Sequence, residues 1–206
     1  MNKDFEKSVF VNCPFDEGYK ALLLPLLFTI HFARLKPRIA LEASDSGSPR
    51  ISKILEMIKQ CKYGIHDLSR CQASKAGEYF RLNMPFELGL DVGCKNFGRA
   101  EQKNKKCLIL ESEKYRYQAA LSDLSNSDIL NHDNNPETMV YQVRNWLEQE
   151  SGASIAPASY IWGRYLDFMS DNDEKLNRAG YSRKDIERQP VKVLMSQMKQ
   201  WIDVFE

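Results

Sequence analysis

Short runs of β-branched and aromatic residues alternate along this chain with longer segments of helical periodicity. The runs occupy residues 8–14, 37–43, 63–67 and 106–111. Between the second and third runs, Ile51, Ile54 and Ile58 repeat with helical spacing and predict a helix over about 50–60. Strands that alternate with helices form parallel sheets with right-handed crossovers. The sequence therefore predicts a doubly wound α/β domain, which we place at residues 1–150.

The chain beyond the fourth strand gives a different pattern. We expect a short helix at 115–124, an edge strand at 127–130 and a helix over 136–150 that Asn135 and Pro136 open. From about residue 153 the apolar spacing is helical without strand signals, and we predict a C-terminal helical extension over 151–206. This extension either packs back on the sheet or forms a dimer face.

Composition narrows the classes of partner. The 206 residues are 43% hydrophobic with a formal net charge of +1, and Lys and Arg form no stripe, which argues against nucleic acid as the main partner. Five cysteines without paired metal-knuckle spacing are typical of a reduced, cytoplasmic protein. The apolar run at 21–33 is too short to span a bilayer, so no membrane association is expected. We also predict no metal, because no two histidines have ligand spacing.

Two acids are expected at the crevice of the predicted sheet. Asp67 ends the third strand, and Ser69, just after it, is a predicted substrate contact. Glu87 lies at the start of the next helix, for which Asn83 and Pro85 are start signals. Open α/β sheets bind ligands at the carboxyl ends of their strands. Each acid also has a purely structural interpretation, because Glu87 could complement the helix dipole and Asp67 could form an ordinary turn.

These pieces resemble a known superfamily. A strand that ends in Asp67-Leu68-Ser69, the run from Asn83 to Glu87-Leu88-Gly89, and the opening 9–16 are similar to the nucleoside 2-deoxyribosyltransferase-like and Toll/interleukin-1-receptor-like (TIR-like) group of flavodoxin-like domains. The resemblance covers about residues 8–111. It implies that Glu87 is catalytic on an N-glycosidic bond, that Asp67 faces the ribose, and that the protein assembles as a homo-oligomer.

What the resemblance implies about function is an N-glycosidic-bond hydrolase or transferase. The substrate would be NAD or a related nucleotide, with no separate cofactor, and the setting would be bacterial antiphage defence. Cleavage passes through an oxocarbenium-like state that a carboxylate such as Glu87 can stabilise. The alternatives are a nucleotide sensor that uses the same crevice without chemistry, and a scaffold protein that associates through its helices.

Further substrate contacts are predicted around the crevice. Asn12 and Asp16 belong to the first crevice loop, where Asp16 could instead cap a helix. Arg50 follows a Gly- and Ser-containing loop and suits a phosphate, although a solvated surface arginine is the alternative. Asn83 either orients the substrate or caps its helix. His66 should point away from Asp67 and is interpreted as a packed histidine.

Overall fold

A five-stranded, all-parallel sheet organises the computed structural model, which describes residues 3–42, 47–71, 73, 81–113 and 129–205. The strands are β1 (Ser8–Asn12), β2 (Lys36–Ile39), β3 (Tyr63–Asp67), β4 (Lys106–Glu111) and β5 (Ile129–Asn131). Their order is β2-β1-β3-β4-β5, with every neighbouring pair parallel. This is the flavodoxin-like order. The predicted α/β class, a flavodoxin-like doubly wound sheet with a C-terminal helical extension, is confirmed.

Helices cover both faces of the sheet. They are α1 (Lys3–Lys7), α2 (Lys20–Phe32), α3 (Arg50–Gln60), α4 (Asn83–Phe97), α5 (Pro136–Ser151), α6 (Ala158–Arg178), α7 (Arg183–Glu187) and α8 (Val191–Phe205). Val9 and Ile65 point to the face covered by α2 and α5, whereas Phe10 packs with Ile54 and Ile58 of α3 on the other face. The alternating side chains of the central strands β1 and β3 are therefore buried on both sides.

The C-terminal helices pack back on the sheet through α2. Phe28 of α2 makes ring contacts with Tyr165 and Phe168 of α6 and with Trp201 of α8. The core on this face continues from the strands through α2 and α5 into α6 and α8. Of the two arrangements that the sequence allowed, the described residues show the one that buries the extension against the α2 face.

Two boundaries differ from the predictions. The second strand ends at Ile39 rather than 43, because Glu42 accepts a hydrogen bond from the Ile39 backbone nitrogen (2.7 Å) and from Arg38 (3.0 Å), which turns 40–42 into a 3₁₀ helix. The edge strand begins at Ile129 within the described residues and pairs with β4. Residue 43, the predicted helix at 115–124 and residues 127–128 lie outside the described residues.

A buried cluster of charged and polar side chains joins α4 to the sheet. Asp91 of α4 lies 3.0 Å from Lys105 Nζ through one carboxylate oxygen and 2.9 Å from His66 Nε2 through the other. Lys105 also donates to the carbonyl oxygens of Ile58 (2.8 Å) and Cys61 at the end of α3. Burial raises the pKa of Asp91, but His66 and Lys105 outweigh it, so the pKa is lowered and the carboxylate stays ionised.

Gly64 on β3 is required for this close approach. A Cβ atom built at Gly64 would lie 1.9 Å from Asp91 Oδ2, well inside van der Waals contact. Any side chain at this position would push α4 away from the sheet or break the Asp91 contacts. The glycine thus allows Asp91 to reach His66 across the surface of β3.

We expect Gly64→Ala to lower the free energy of unfolding by about 1–3 kcal/mol, because the new methyl group overpacks a buried ionic contact. Urea unfolding measures the loss. Gly93→Ala on the same helix α4 is the control, since nothing lies within 4 Å of its built Cβ. The control should leave stability unchanged or raise it by up to about 1 kcal/mol through helix propensity. Equal losses in both variants would contradict the packing argument.

Candidate active site

The predicted acids gather at the carboxyl edge of the sheet around Cys13. This buried thiol follows β1, and its pKa is raised by burial first and then by the negative charges of Asp67, Glu87 and Asp16. Three acids that are far apart in sequence therefore lie near the same thiol. The structure thus brings the end of β1, the end of β3 and the start of α4 together at one edge of the sheet.

Glu87 is a nearly buried carboxylate, with 4% of its surface exposed. It is the fifth residue of α4, past the first helical turn. Burial raises its pKa, and this rise is only partly offset by the charge of Arg50, a hydrogen bond from Asn83 and the charge of His66. The dipole interpretation is weakened by this position, since dipole effects fall off within the first turn.

Asn83 does not cap the helix. The N-cap residue of α4 is Leu82, and no side chain caps this helix end. The Asn83 amide nitrogen instead lies 3.6 Å from Met84 Sδ, and the Asn83 side chain lowers the pKa of Glu87, four residues later on the same side of α4. The capping alternative is therefore wrong for this residue, and its side chain instead favours the ionised form of the candidate catalytic acid.

Asp67 is fully buried, and both of its oxygens meet protein donors. The Ser69 backbone nitrogen donates to Oδ1 at 2.8 Å, the Tyr19 hydroxyl donates to Oδ2, and His132 Nε2 lies 3.1 Å from Oδ2. Burial raises the pKa of Asp67, but His132, Ser69 and Tyr19 outweigh it and lower the pKa. In this arrangement Asp67 joins the ends of β1, β3 and β5, while its contact with ribose stays a prediction.

His132 is a site residue that the sequence analysis missed. It follows β5, is fully buried, and accepts a hydrogen bond at Nδ1 from the Asn134 backbone nitrogen at 3.1 Å. A neutral imidazole that accepts at Nδ1 carries its proton on Nε2, the atom that lies 3.1 Å from Asp67 Oδ2. The only available signal was its place after the edge strand, in a loop whose Asn135 caps α5 as predicted.

Asp16 lies in the first crevice loop, and its carboxylate contacts two arginines. Arg70 Nη1 lies 3.2 Å from Asp16 Oδ1, and Arg81 Nη2 donates to Asp16 Oδ2. No side-chain capping bond is present at the 3₁₀ helix that it precedes, Glu17–Tyr19. Asp16 thus occupies an N-cap position, as the alternative interpretation expected, but its side chain does not cap the helix. The two arginines were not foreseen because they lie more than fifty positions away in sequence.

Of the remaining residues predicted to contact substrate, two are buried and one is exposed. Asn12 is buried below the crevice, where its side-chain nitrogen donates to Met84 O (2.9 Å) and lies 3.0 Å from His66 Nδ1. Ser69 is buried beside Asp67, and Arg50 is exposed at the start of α3. His66 points to the face opposite Asp67 and is buried, as expected for a packed histidine.

One group among the described residues has metal-compatible donors. The donor atoms of His66, Asp91 and Cys107 all lie within 4.8 Å of one another. The Lys105 ammonium, 3.0 Å from Asp91, already supplies the positive charge that this carboxylate needs. The arrangement fits a buried ion pair better than a metal centre.

Comparison with known proteins adds no assignment. No protein-family model, no curated protein and no solved structure matches the chain. Over the ranges that the structure describes, no helix combines the length and apolar character needed to cross a membrane. The geometry of the crevice is therefore the basis on which a function is proposed.

From the Asp67 contacts we predict how the free energy of unfolding changes in Asp67→Asn and at acidic pH. Asp67→Asn should lower the free energy of unfolding at pH 7 by roughly 3 kcal/mol, because an amide cannot accept from all three donors. Since folding depresses the pKa of Asp67, its stabilisation is present at neutral pH and is lost as pH falls below about 4, the unfolded value. The free energy of unfolding of the variant should depend less on pH in that acid range than that of wild type.

Urea unfolding at several pH values measures both effects. Asp133→Asn, an exposed acid in the loop after β5, is the matched control and should change little. Equal stability of the two variants at pH 7 would refute the Asp67 contacts. So would a free energy of unfolding of Asp67→Asn that falls in acid as steeply as that of wild type.

Proposed function

We propose that this protein cleaves, or transfers from, the N-glycosidic bond of NAD or a related nucleotide, with Glu87 as the catalytic carboxylate. The observation that carries the proposal is the setting of Glu87. It is almost fully buried at the carboxyl edge of a flavodoxin-like sheet, beside the ends of β1 and β3, where such folds bind ligands. A buried carboxylate with a raised pKa in a crevice is a common mark of a functional acid.

The chemistry requires one ionised carboxylate next to the ribose carbon C1′. As the C1′–N bond breaks, its electron pair goes to the leaving nicotinamide, whose ring loses its positive charge and needs no proton. The carboxylate of Glu87 stabilises the positive charge that develops on the sugar or forms an ester with it. Water then adds its hydroxyl to C1′ and releases a proton, or another acceptor takes the sugar.

The neighbours of Glu87 and Asp67 have separate roles in this proposal. Arg50 and Asn83 favour the ionised form of Glu87 against the effect of burial. Asp67 acts as a positioning residue, because it contacts the buried side chains of Tyr19 and His132 next to the crevice. Asn12 and Ser69 support the floor, one through the Met84 carbonyl and the other through Asp67.

A nucleotide sensor without chemistry is the second candidate. Tyr19 donates to Asp67 and immediately precedes α2, and α2 is the helix against which α6 and α8 pack. Occupation of the crevice could therefore reach the C-terminal helices through one rigid element. The same crevice serves both candidates, and only turnover separates them.

The first test is turnover by Glu87→Gln beside wild type. We expect wild type to release a free base from NAD or a related nucleotide, and Glu87→Gln to be slower by about 100-fold or more, since the amide cannot stabilise the sugar cation. Mass-resolved chromatography of a nucleoside and nucleotide panel measures the products. Glu17→Gln, an exposed acid near the crevice, should keep wild-type rates.

Two results would contradict this assignment. Full activity of Glu87→Gln would remove the catalytic role of Glu87. Binding of a nucleotide by wild type without any product, unaffected by Glu87→Gln, would favour the sensor.

The pH profile tests the charge environment of Glu87. If the ionised carboxylate is the active form, the rate should rise as pH increases through its raised pKa. Arg50→Gln removes a charge that lowers this pKa, so the acid limb of the profile should move to higher pH. Lys59→Gln on the same helix α3 is the control and should leave the limb in place. An unchanged limb in Arg50→Gln would contradict the coupling.

Two further implications of the resemblance stay predictions. One is a role in antiphage defence, and the other is self-association, which light scattering on the purified protein tests.

A further inference from the structure

We propose that a cavity between the end of α2, the edge strand β2 and helix α8 binds a small organic anion, a molecule with an apolar body and one ionised acid group such as a carboxylate. This cavity is separate from the crevice, because none of Asp16, Asp67 and Glu87 lines it. The proposal therefore goes beyond the proposed function and does not depend on it.

The size of the cavity is the first observation. Its volume is about 490 Å³, within the range of roughly 300–1,000 Å³ that small-molecule sites occupy. Three elements that are far apart in sequence line it, with His31 from α2, Lys36 from β2 and Ser196 from α8. A molecule of about ten to twenty non-hydrogen atoms fits in such a space.

One part of the lining is apolar. This apolar wall consists of Leu35, Pro37, Met195 and Ile202. Met195 and Ile202 are 7% and 1% exposed, and both belong to the core that joins α8 to the sheet. The wall is therefore held in place by the fold, and an apolar ligand body that covers it would release water from its surface.

The charged part of the lining has an excess of positive charge. Five basic residues line the cavity, Lys7, Arg34, Lys36, Lys192 and Lys199, against three acidic residues, Asp4, Glu42 and Asp203. An excess of one sign around a concave surface raises the local concentration of ligands of the opposite sign.

Two of the acids are already compensated. Asp203 accepts from Lys199 and lies 3.3 Å from Arg34, and Glu42 lies 3.0 Å from Arg38, which is not part of the lining. By contrast, Lys7 and Lys36 are exposed, and over the described ranges neither takes part in an ion pair. These two ammonium groups are the ones that a ligand can pair with at no cost to an existing contact.

His31 adds a polar group that lacks a partner. Its Nε2 atom is buried, and no hydrogen-bond partner meets it within the described residues. Burial lowers the pKa of His31 to about 4, and the charge of Lys199 lowers it further against the effect of Asp203, so the ring is neutral at pH 7. A buried polar atom without a partner is costly, and an acid group bound beside this ring would offer it an acceptor.

An organic anion matches both parts of the lining at once. Its acid group would lie near Lys7, Lys36 and His31, while its body covers the apolar wall. A neutral apolar molecule leaves the ammonium groups unused, and an inorganic anion leaves the wall in contact with water. Because the lysines are exposed, their attraction for the ligand is modest and is screened by salt.

The test compares two ligands with the same eight-carbon chain, octanoate and octan-1-ol, by isothermal titration calorimetry at pH 7. Wild type should bind octanoate about tenfold more tightly than octan-1-ol, and high salt should reduce this ratio. Lys7→Gln and Lys36→Gln should each weaken octanoate by about threefold and leave octan-1-ol unchanged. Lys103→Gln, an exposed lysine outside the cavity, is the control and should bind like wild type.

A second variant tests the place of binding. Ser196 is exposed and lines the cavity, so Ser196→Trp should fill the space and remove binding of both ligands without unfolding the protein, which urea unfolding checks. Nuclear magnetic resonance gives an independent signal. The sequence has three histidines, and octanoate should shift the ring signals of His31 while those of His66 and His132 stay in place.

Four results would each overturn the proposal. They are absence of octanoate binding, equal affinity for the two ligands, lysine variants that bind octanoate like wild type, and a folded Ser196→Trp that still binds it. Octanoate binding that shifts His66 or His132 rather than His31 would also reject this cavity, because the ligand would then occupy another part of the molecule.

Discussion

The contact between Asp91, Lys105 and His66 is the interaction on which the rest of this structure depends. A buried carboxylate is costly unless it is paired, and Asp91 is paired on both oxygens. Lys105 connects it to the end of α3, and His66 connects it to β3. Because Glu87 lies one helical turn before Asp91, the same contact sets the depth and rotation of the candidate catalytic acid. The position of the candidate catalytic acid thus depends on the buried ion pair of Asp91 and Lys105.

The second constraint comes from the residue next to His66. Asp67 points to the opposite face of β3 and gathers Tyr19 and His132 from the loops after β1 and β5. Adjacent positions of one strand therefore anchor the two sides of the crevice, one through α4 and the other through loops. Asp16, in the first crevice loop, forms ion pairs with two arginines. Of the four acids, Glu87 is the one whose pKa is raised, because burial outweighs its neighbours, whereas the paired carboxylates of the other three have lowered pKa values.

The sequence was sufficient for the order of elements and for the general place of the site. Strand runs and helical spacing predict the sheet, and strand ends predict where Asp67 and Glu87 meet. Pairings over long sequence distances could not be predicted in this way. A lysine such as Lys105 is normally exposed, and nothing local marks it as the partner of Asp91. His132 looked like a loop residue, and Asp16 looked like a cap, because their partners come from other strands and loops. Local patterns therefore located the crevice, while its internal contacts depend on the tertiary structure.

The absence of a side chain at Gly64 has a consequence for how related chains can vary. An acid at position 91 can reach β3 only when position 64 carries no Cβ, because the two atoms would overlap. A lineage that replaced this glycine would need to give up the acid at the same time, and the buried lysine would then lose its counter-charge. Positions 64, 91 and 105 are thus expected to covary as a set, and this set offers a signature by which distant relatives of this chain could be recognised.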